Sequence, residues 1–334
     1  MNMASAGIDR ILCPTDFSVF SSQAFRHAMA LARTFHSRLR VIHVIPTAVP
    51  GVDSVYGGAP WLLTPEDRGR VEEELRRFLE PAREARVDYE TEIREGDPWR
   101  EIERAAAEME ADLVVLGTHG RSGVERLVIG SVAEKVIRRL PCPVLTVSHE
   151  EARTWAAPGL VSRILCATNF SEMSAEALRV ALAFAEKHRA SVLLLHVVES
   201  VPDLNAAAHR ALVDMDSLRR ELERRATERV RRIVADAGAP HIAIETRVVT
   251  GCAYKEILHL AAEERFDLIV MGAQGHGVLE HLLSGSNAQH VIRAATCPVL
   301  VVRPQGLRPR ARDPRMASLT LVSEGRAQTV ASRS

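Results

Sequence analysis

Lysine and aromatic residues are scarce in this sequence of 334 residues, and neither sign of charge dominates it. Only three of the 43 basic residues are lysines (Lys135, Lys187 and Lys255). We attribute this bias, which runs through the whole chain, to genomic base composition rather than to phosphate binding. Basic and acidic residues balance at 43 each. Because general binders of nucleic acid or of anionic membranes carry a basic excess, the balance argues against both classes.

Long apolar runs and paired cysteines are missing as well. No apolar run approaches the ~20 residues of a membrane span, and the N-terminus lacks the basic start and apolar stretch of a signal peptide. The five cysteines include no C-x-x-C and do not suggest a disulfide framework. No H-E-x-x-H motif or Cys/His quartet predicts a metal site. We therefore expect a cytoplasmic protein that holds no metal through its own side chains.

The sequence does contain an internal repeat. The segment "RILCPTDFS" at 10–18 returns as "RILCATNFS" at 163–171, and "ADLVVLGTHG" at 111–120 returns as "FDLIVMGAQG" at 266–275. Blocks that recur in the same order at a nearly constant offset indicate that one structural unit occurs twice.

The repeat divides the chain into four predicted segments. They are a first domain at 1–150, a linker at 151–160, a second domain at 161–304 and a tail at 305–334. The tail contains several prolines and arginines, shows no helical period and has no counterpart in the first domain. Its composition predicts a disordered, solvated segment, and a basic arm that docks on a partner is the alternative.

Within each domain, short apolar runs alternate with segments of helical periodicity. The predicted strands of the first domain are 8–13, 39–45, 87–93, 113–116 and 144–147, and the predicted helices are 21–35, a helix around 71–79, 98–110 and 131–140. Strands such as "DLVVLG" are apolar throughout, as in a parallel sheet covered on both faces. The pattern predicts an α/β protein with two tandem doubly wound domains, each a five-stranded parallel sheet flanked by helices.

A glycine-rich stretch follows the predicted fourth strand of each domain. "GTHGRSGVERLVIGS" at 117–131 has Gly-x-x-Gly, nine residues and Gly-Ser, and "GAQGHGVLEHLLSGS" at 272–286 repeats the spacing. Glycine lets backbone N–H groups turn toward a phosphate, and the start of the following helix suits an anion. The alternative is that the glycines serve tight turns and that the serine is an N-cap. Neither stretch is a Walker A loop or a G-x-G-x-x-G motif.

This spacing, with "PTDFS" upstream, closely resembles the universal stress protein family in its tandem form. The resemblance covers roughly residues 8–148 and 161–303. It implies ATP binding, with Mg²⁺ arriving on the phosphates, and a stress-response role in which nucleotide occupancy controls conformation and the binding of an unidentified protein partner. At most slow hydrolysis is expected. The alternatives are a weak Mg-dependent ATPase or phosphotransferase and a nucleotide-free interaction protein.

The resemblance assigns cofactor-binding residues to both domains. In the first domain they are Pro14, Thr15 and Asp16 at the nucleoside, Val44 at the base, and Gly117, His119, Gly120, Gly130, Ser131 and Val132 at the ribose and phosphates. In the second domain they are Ala167, Thr168, Asn169, Val197, Gly272, Gln274, Gly275, Gly285, Ser286 and Asn287. No catalytic residue is assigned.

The second copy departs from the first at two of these positions. Asn169 stands where the first domain has Asp16, and Gln274 stands where it has His119. A neutral amide loses the charge-assisted hydrogen bond, although its oxygen can still accept from a hydroxyl. The loss amounts to about 1 kcal/mol, or several-fold in affinity. We therefore predict that the first site binds ATP more tightly.

Several single residues have plainer interpretations. Asp16 or Ser18 could be the N-cap of the first long helix. His43 and His196 are predicted to be hydrogen-bonded core histidines. The side chains of His119, Arg121 and His276 lie in the glycine stretches, where they could contact a phosphate or could simply be solvated. Four cysteines at equivalent positions in the two domains are predicted to be small buried residues, namely Cys13, Cys166, Cys142 and Cys297.

The resemblance also bears on assembly. Related single-domain members pair as dimers, so we expect the two domains to form an intramolecular pseudo-dimer. The last strands, "PVLTV" and "PVLVV", are the expected contact, because exposed edge strands invite pairing. A further homodimer of two chains stays open.

Overall fold

The computed structural model describes six stretches of the chain. They are residues 7–46, 65–120, 129–148, 161–199, 215–273 and 287–303. The predicted linker and the whole of the predicted tail lie outside these stretches. Among the described helices, none is long and apolar enough to cross a membrane.

The first domain alternates strands and helices in the predicted order. Its strands are β1 (Arg10–Thr15), β2 (Arg38–Pro46), β3 (Tyr89–Gly96), β4 (Leu113–Gly117) and β5 (Val144–Val147). Its helices are α1 (Val19–Phe35), α2 (Pro65–Phe78), α3 (Glu80–Glu84), α4 (Pro98–Glu108) and α5 (Ser131–Arg139). The single helix predicted around 71–79 is thus two helices, because Pro81 has no N–H to continue α2 and lies in the first turn of α3 instead.

The second domain repeats this order. Its strands are β6 (Arg163–Thr168), β7 (Ser191–Glu199), β8 (Ile244–Gly251), β9 (Leu268–Gly272) and β10 (Val299–Val302). Its described helices are α6 (Glu172–His188), α7 (Met215–Ala237), α8 (Ala253–Glu263) and α9 (Asn287–Ala294).

The ten strands of the described stretches form one sheet, in the order β3-β2-β1-β4-β5-β10-β9-β6-β7-β8. Neighbouring strands are parallel within each domain. Between the domains, β5 and β10 are antiparallel, with Leu145 opposite Leu300. The last strands therefore join the domains, as predicted. Because the two halves of the sheet run in opposite directions, the carboxyl ends of their strands lie at opposite edges.

The core lies on both faces of this sheet. On one face α1 packs against α6, where the rings of Phe35 and Phe184 are 5.1 Å apart. On the other face α4, α5, α8 and α9 bury residues such as Val136 and Val291. Both clusters contain residues of the two domains, so the apolar core is continuous across the domain boundary.

The first strand is shifted from its predicted position. It runs from Arg10 to Thr15 rather than over 8–13, so Pro14 and Thr15 belong to β1 and do not follow it. Hydrophobicity marks burial, and Ile8 is buried before the strand begins. Pairing of β1 with β4 covers only Ile11 and Leu12. Pro14 therefore lies beyond that ladder, where a missing N–H costs little.

Candidate functional site

The strand order of the first domain reverses beside β1. The chain adds β2 and β3 on one side of β1, and β4 and β5 on the other. Asp16 follows β1 and Gly117 ends the neighbouring parallel strand β4. Asn169 and Gly272 hold the same places beside β6 and β9. Doubly wound sheets bind ligands at such a switch point.

The turn after β1 is fixed by short-range hydrogen bonds. The hydroxyl of Thr15 accepts from the backbone N–H of Phe17 at 3.0 Å, and Asp16 Oδ1 accepts from Ser18 N–H at 3.0 Å. Phe17 has a left-handed backbone, with φ of 63°. Ser18 caps α1 by accepting from Ser21 N–H at 3.2 Å. Of the two predicted candidates, Ser18 is therefore the N-cap, and Asp16 orders the turn that precedes it.

The first glycine of each stretch serves helix packing. A Cβ on Gly117 would lie 2.8 Å from the backbone carbon of Phe20 in α1, and a Cβ on Gly272 would lie 3.0 Å from Cβ of Met173 in α6. Any side chain at Gly117 would push the helix away from the sheet. Close packing of a helix, rather than the tight turn considered from the sequence, therefore accounts for these two glycines.

Of the other two described glycines of the first stretch, Gly120 lies beside the Asp16 carboxylate and Gly130 lies beside Gly120. A Cβ on Gly120 would lie 2.8 Å from Asp16 Oδ2. Gly130 N–H donates to the Thr118 carbonyl at 2.8 Å, and a Cβ on Gly130 would lie 3.8 Å from the backbone nitrogen of Gly120. The structure thus brings Gly120, with Gly130 next to it, against Asp16, which is far from both in the sequence.

Thr118 organises this loop and was not predicted. It is 1% exposed, its N–H donates to the Val147 carbonyl at 3.0 Å, and its carbonyl accepts from Gly130. Its hydroxyl hydrogen bonds with His119 Nδ1 at 2.9 Å. A threonine inside Gly-x-x-Gly carries no sequence signal of its own, and the second domain has Ala273 there.

The N-terminus of α5 faces the same loop. Gly130 is its N-cap and makes no side-chain capping bond, while Ser131 is the exposed first helical residue. The alternative that the serine is the N-cap is therefore wrong for this copy. The first N–H groups of a helix, here those of Ser131 and Val132, have no intrahelical acceptor. They are available to an anion.

Strand β2 borders the other end of the site. Its pairing with β1 ends at His43, opposite Thr15, but β2 continues to Pro46. Val44 pairs with Arg94 on β3. On the side that faces β1 it has no strand partner, because β1 has already ended. Val197 has the equivalent place on β7, opposite Val249. The backbone of Val44 therefore borders the space above Asp16.

Of the two strand histidines, His43 is buried in the core, as predicted, whereas His196 is only partly buried. His43 Nδ1 hydrogen bonds with the Thr15 carbonyl at 2.8 Å, and its ring stacks on Phe17 at 4.3 Å. His196 Nδ1 makes the same bond with Thr168 at 2.8 Å. Burial is the main reason why the pKa of His196 is lowered. Both rings support the turn that follows the first strand of their domain.

The second domain differs at the residue that replaces Asp16. Asn169 Oδ1 accepts from both the backbone N–H and the hydroxyl of Ser171, at 3.1 and 2.6 Å. Its oxygen is therefore engaged by the turn, contrary to the expectation that it serves a ligand hydroxyl. The terminal atom corresponding to Asp16 Oδ2 is an amide nitrogen, which donates.

The remaining predicted residues of the second site are only partly described. Ala167 and Thr168 end β6. Asn287 begins α9, and its Nδ2 donates to Glu199 Oε1 at 3.1 Å. Glu199 was not predicted, because it lies 88 positions from Asn287. Predicted positions outside the described residues are Gln274, Gly275, Gly285 and Ser286, as are Arg121 and His276.

The cysteines are as predicted. Cys13, Cys142, Cys166 and Cys297 are buried, whereas Cys252 is exposed. Burial raises the pKa of the Cys166 thiol to about 12 and raises that of Cys13 as well. Over the described stretches, no group of His, Cys, Asp and Glu side chains is arranged to hold a metal ion.

Two doubly wound domains that share one sheet, with Gly117 and Gly272 at their switch points, define a tandem α/β protein. Residues 7–148 and 161–303 both match the model of the universal stress protein family. The chain belongs to that family. A universal stress protein of Methanocaldococcus jannaschii is 38% identical over 138 residues, which cover 41% of this chain and 81% of the relative. The crystal structure of a universal stress protein from Archaeoglobus fulgidus shares the fold with a TM-score of 0.63 and 23% identity, over 88% of this chain and 98% of its own.

Proposed function

We propose that this protein is an ATP-binding stress-response regulator. The observation that carries the proposal is the proximity of Asp16, Gly120 and Gly130 to the start of α5, which has no side-chain cap. A carboxylate accepts hydrogen bonds from nucleoside hydroxyl or amine groups. Backbone N–H groups at glycines and at a helix start donate to phosphate oxygens. A nucleoside acceptor and phosphate donors at one switch point match the two ends of ATP.

In this proposal the site has a nucleoside end and a phosphate end. Asp16 and the backbone of Val44 receive the nucleoside, and Gly120, Gly130 and Ser131 receive the phosphates. Mg²⁺ binds mainly to phosphate oxygens and water, as it does where the protein supplies few ligands. His119 stays near the phosphates through its bond to Thr118 at 2.9 Å.

The second site should bind ATP more weakly. Asn169 has its oxygen engaged by Ser171, so it cannot replace the acceptor that Asp16 provides. Glu199 adds a carboxylate next to the first residue of α9, where a phosphate would otherwise meet the helix dipole. Both features disfavour an anionic nucleotide whose hydroxyl groups donate.

The proposed regulation acts through the order of the first glycine stretch. Phosphates that bind the N–H groups of Gly120, Ser131 and Val132 would hold the two described ends of the stretch together, and a protein partner would recognise the ATP-bound conformation. The proposal assigns the protein to the cytoplasm, which supplies ATP. Release of phosphate at ~1 s⁻¹ or faster would instead favour the alternative, an ATPase or phosphotransferase.

A reciprocal exchange tests the proposal. Calorimetric titration with ATP and Mg²⁺ should show several-fold weaker binding for Asp16→Asn, because a charge-assisted acceptor is lost. Asn169→Asp should strengthen the second site. Asp88→Asn makes the same change of charge at an exposed residue away from the site, and should leave the affinity unchanged. Equal affinity of Asp16→Asn and the wild type would refute the assignment.

A further inference from the structure

Each glycine-stretch helix ends against the other domain. The carbonyl of Ile137, in the last turn of α5, accepts a hydrogen bond from Arg303 Nε at 3.1 Å. Arg303 directly follows β10 of the second domain. In reciprocal fashion, the carbonyl of Ala295, just after α9, accepts from the Ser148 hydroxyl at 3.3 Å. Ser148 directly follows β5 of the first domain.

The two helices are neighbours across the domain boundary. A cavity of about 10 Å³ lies between them, lined by Ile137 of α5 and by Ala288 and Ile292 of α9. A space of this size holds one water at most. Both helices bury side chains in the same apolar cluster, among them Val136 of α5 and Val291 of α9, so the two domains share the core beneath them.

Arg303 makes an unusual contact for a charged side chain. It is half-buried, and burial together with the nearby Arg138 lowers its pKa. Its described hydrogen bond goes to a helix carbonyl rather than to a carboxylate. Carbonyls of the last turn have no intrahelical donor, and a cation there also complements the helix dipole. Arg303 therefore fixes the far end of the helix whose first turn faces the first site.

Arg303 and Ser148, which hold the ends of α5 and α9, each follow a residue that is hydrogen-bonded to a glycine stretch. The second stretch leaves β9 at Ala273, whose N–H donates to the Val302 carbonyl at 2.9 Å, immediately before Arg303. In the first domain, Thr118 N–H donates to the carbonyl of Val147 at 3.0 Å, and Val147 immediately precedes Ser148. The second glycine stretch is thus bonded to the residue before Arg303, which holds α5 of the first domain. The first stretch is bonded to the residue before Ser148, which holds the end of α9 in the second domain.

We propose that Arg303 is a positioning residue of the first-domain site, contributed by the second domain. The inference rests on the proposed function, because α5 is the helix that would receive the phosphates. By holding the last turn of α5, Arg303 sets the position of its first N–H groups relative to Gly120 and Asp16. Ligand bound at the first site then acts back through α5 on the end of β10.

Three variants test the role of Arg303. Arg303→Met removes the donor and the charge at similar length, and should weaken ATP binding by roughly fivefold, the low end of measured coupling between sites. Arg303→Gln places an amide nitrogen where Nε lies and should restore most of the affinity. Thr146→Val removes a different interface bond, from its hydroxyl to the Val299 carbonyl at 3.1 Å, and should bind ATP as the wild type does.

The same samples are compared by thermal unfolding, which separates loss of positioning from loss of folding. Wild-type affinity in a folded Arg303→Met variant overturns the inference and leaves the proposed function intact. Absence of ATP binding by the wild type overturns both. If Arg303→Met does not fold, hydrogen exchange of the wild type decides. ATP must then slow exchange in α5 and at residues 299–303, and protection confined to residues 118–139 overturns the inference.

Discussion

Replacing Gly117 by alanine should destabilise the protein even without ligand. The new Cβ would lie 2.8 Å from both the backbone carbon and Cβ of Phe20, and 3.0 Å from its carbonyl oxygen. Two of these three atoms are backbone, so α1 itself must move. Overpacking of this kind costs roughly 1–3 kcal/mol. The gain from a less flexible unfolded chain is only about 0.4–1 kcal/mol, so the net free energy of unfolding falls.

Two other glycines provide graded controls for this substitution. Gly272→Ala meets Cβ of Met173 at 3.0 Å and its backbone carbon at 3.3 Å, so its cost should be smaller. Gly69 is exposed in α2, and a Cβ added there would have no neighbouring atom within 4 Å. Gly69→Ala should therefore raise the free energy of unfolding by up to about 1 kcal/mol, the difference in helix propensity.

Urea unfolding followed by circular dichroism measures the series. From the most to the least stable, the expected order is Gly69→Ala, wild type, Gly272→Ala and Gly117→Ala. If Gly117→Ala is as stable as the wild type, the contact with Phe20 does not constrain the helix, and the assignment of this glycine to packing is wrong.

Two further predictions concern buried titratable groups. Burial lowers the pKa of His27 from 6.5 to about 3, so its contribution to stability is complete above pH 6.5 and is lost as the pH falls towards 3. When the pH is lowered from 7 to 5, the free energy of unfolding measured in urea should fall by about 2 kcal/mol more for the wild type than for His27→Leu. Equal falls in the two proteins would contradict the lowered pKa of His27. Among the five cysteines only Cys252 is exposed, so a thiol reagent should modify one thiol per folded chain quickly. Rapid modification of a second thiol would show that the core opens.

The fold could be predicted because its signals are local and repeated. Apolar periodicity located the strands and helices, and the duplicated blocks located the domains. Strand limits were less accurate, since Ile8 is buried without being paired. Pairing depends on the register with neighbours such as Arg38, opposite Arg10, and no local pattern encodes that register.

The site could be predicted only in part, because one residue type can have different structural roles. Gly117 and Gly120 belong to one motif, yet Gly117 makes room for a helix and Gly120 borders a carboxylate. Only the contacts of each glycine distinguish these roles. Likewise, the pair formed by Asn287 and Glu199 depends on the folded chain and leaves no spacing to recognise.

The most direct test of the account is a calorimetric titration of the nucleotide-stripped protein with ATP and Mg²⁺, beside Gly120→Ala. A Cβ on Gly120 would meet Asp16 Oδ2 at 2.8 Å and displace the carboxylate from the nucleoside end. The account predicts binding by the wild type with a stoichiometry nearer one than two, and much weaker binding by the folded variant. No heat of binding by the wild type at millimolar ATP, or equal affinity of the two proteins, would contradict it.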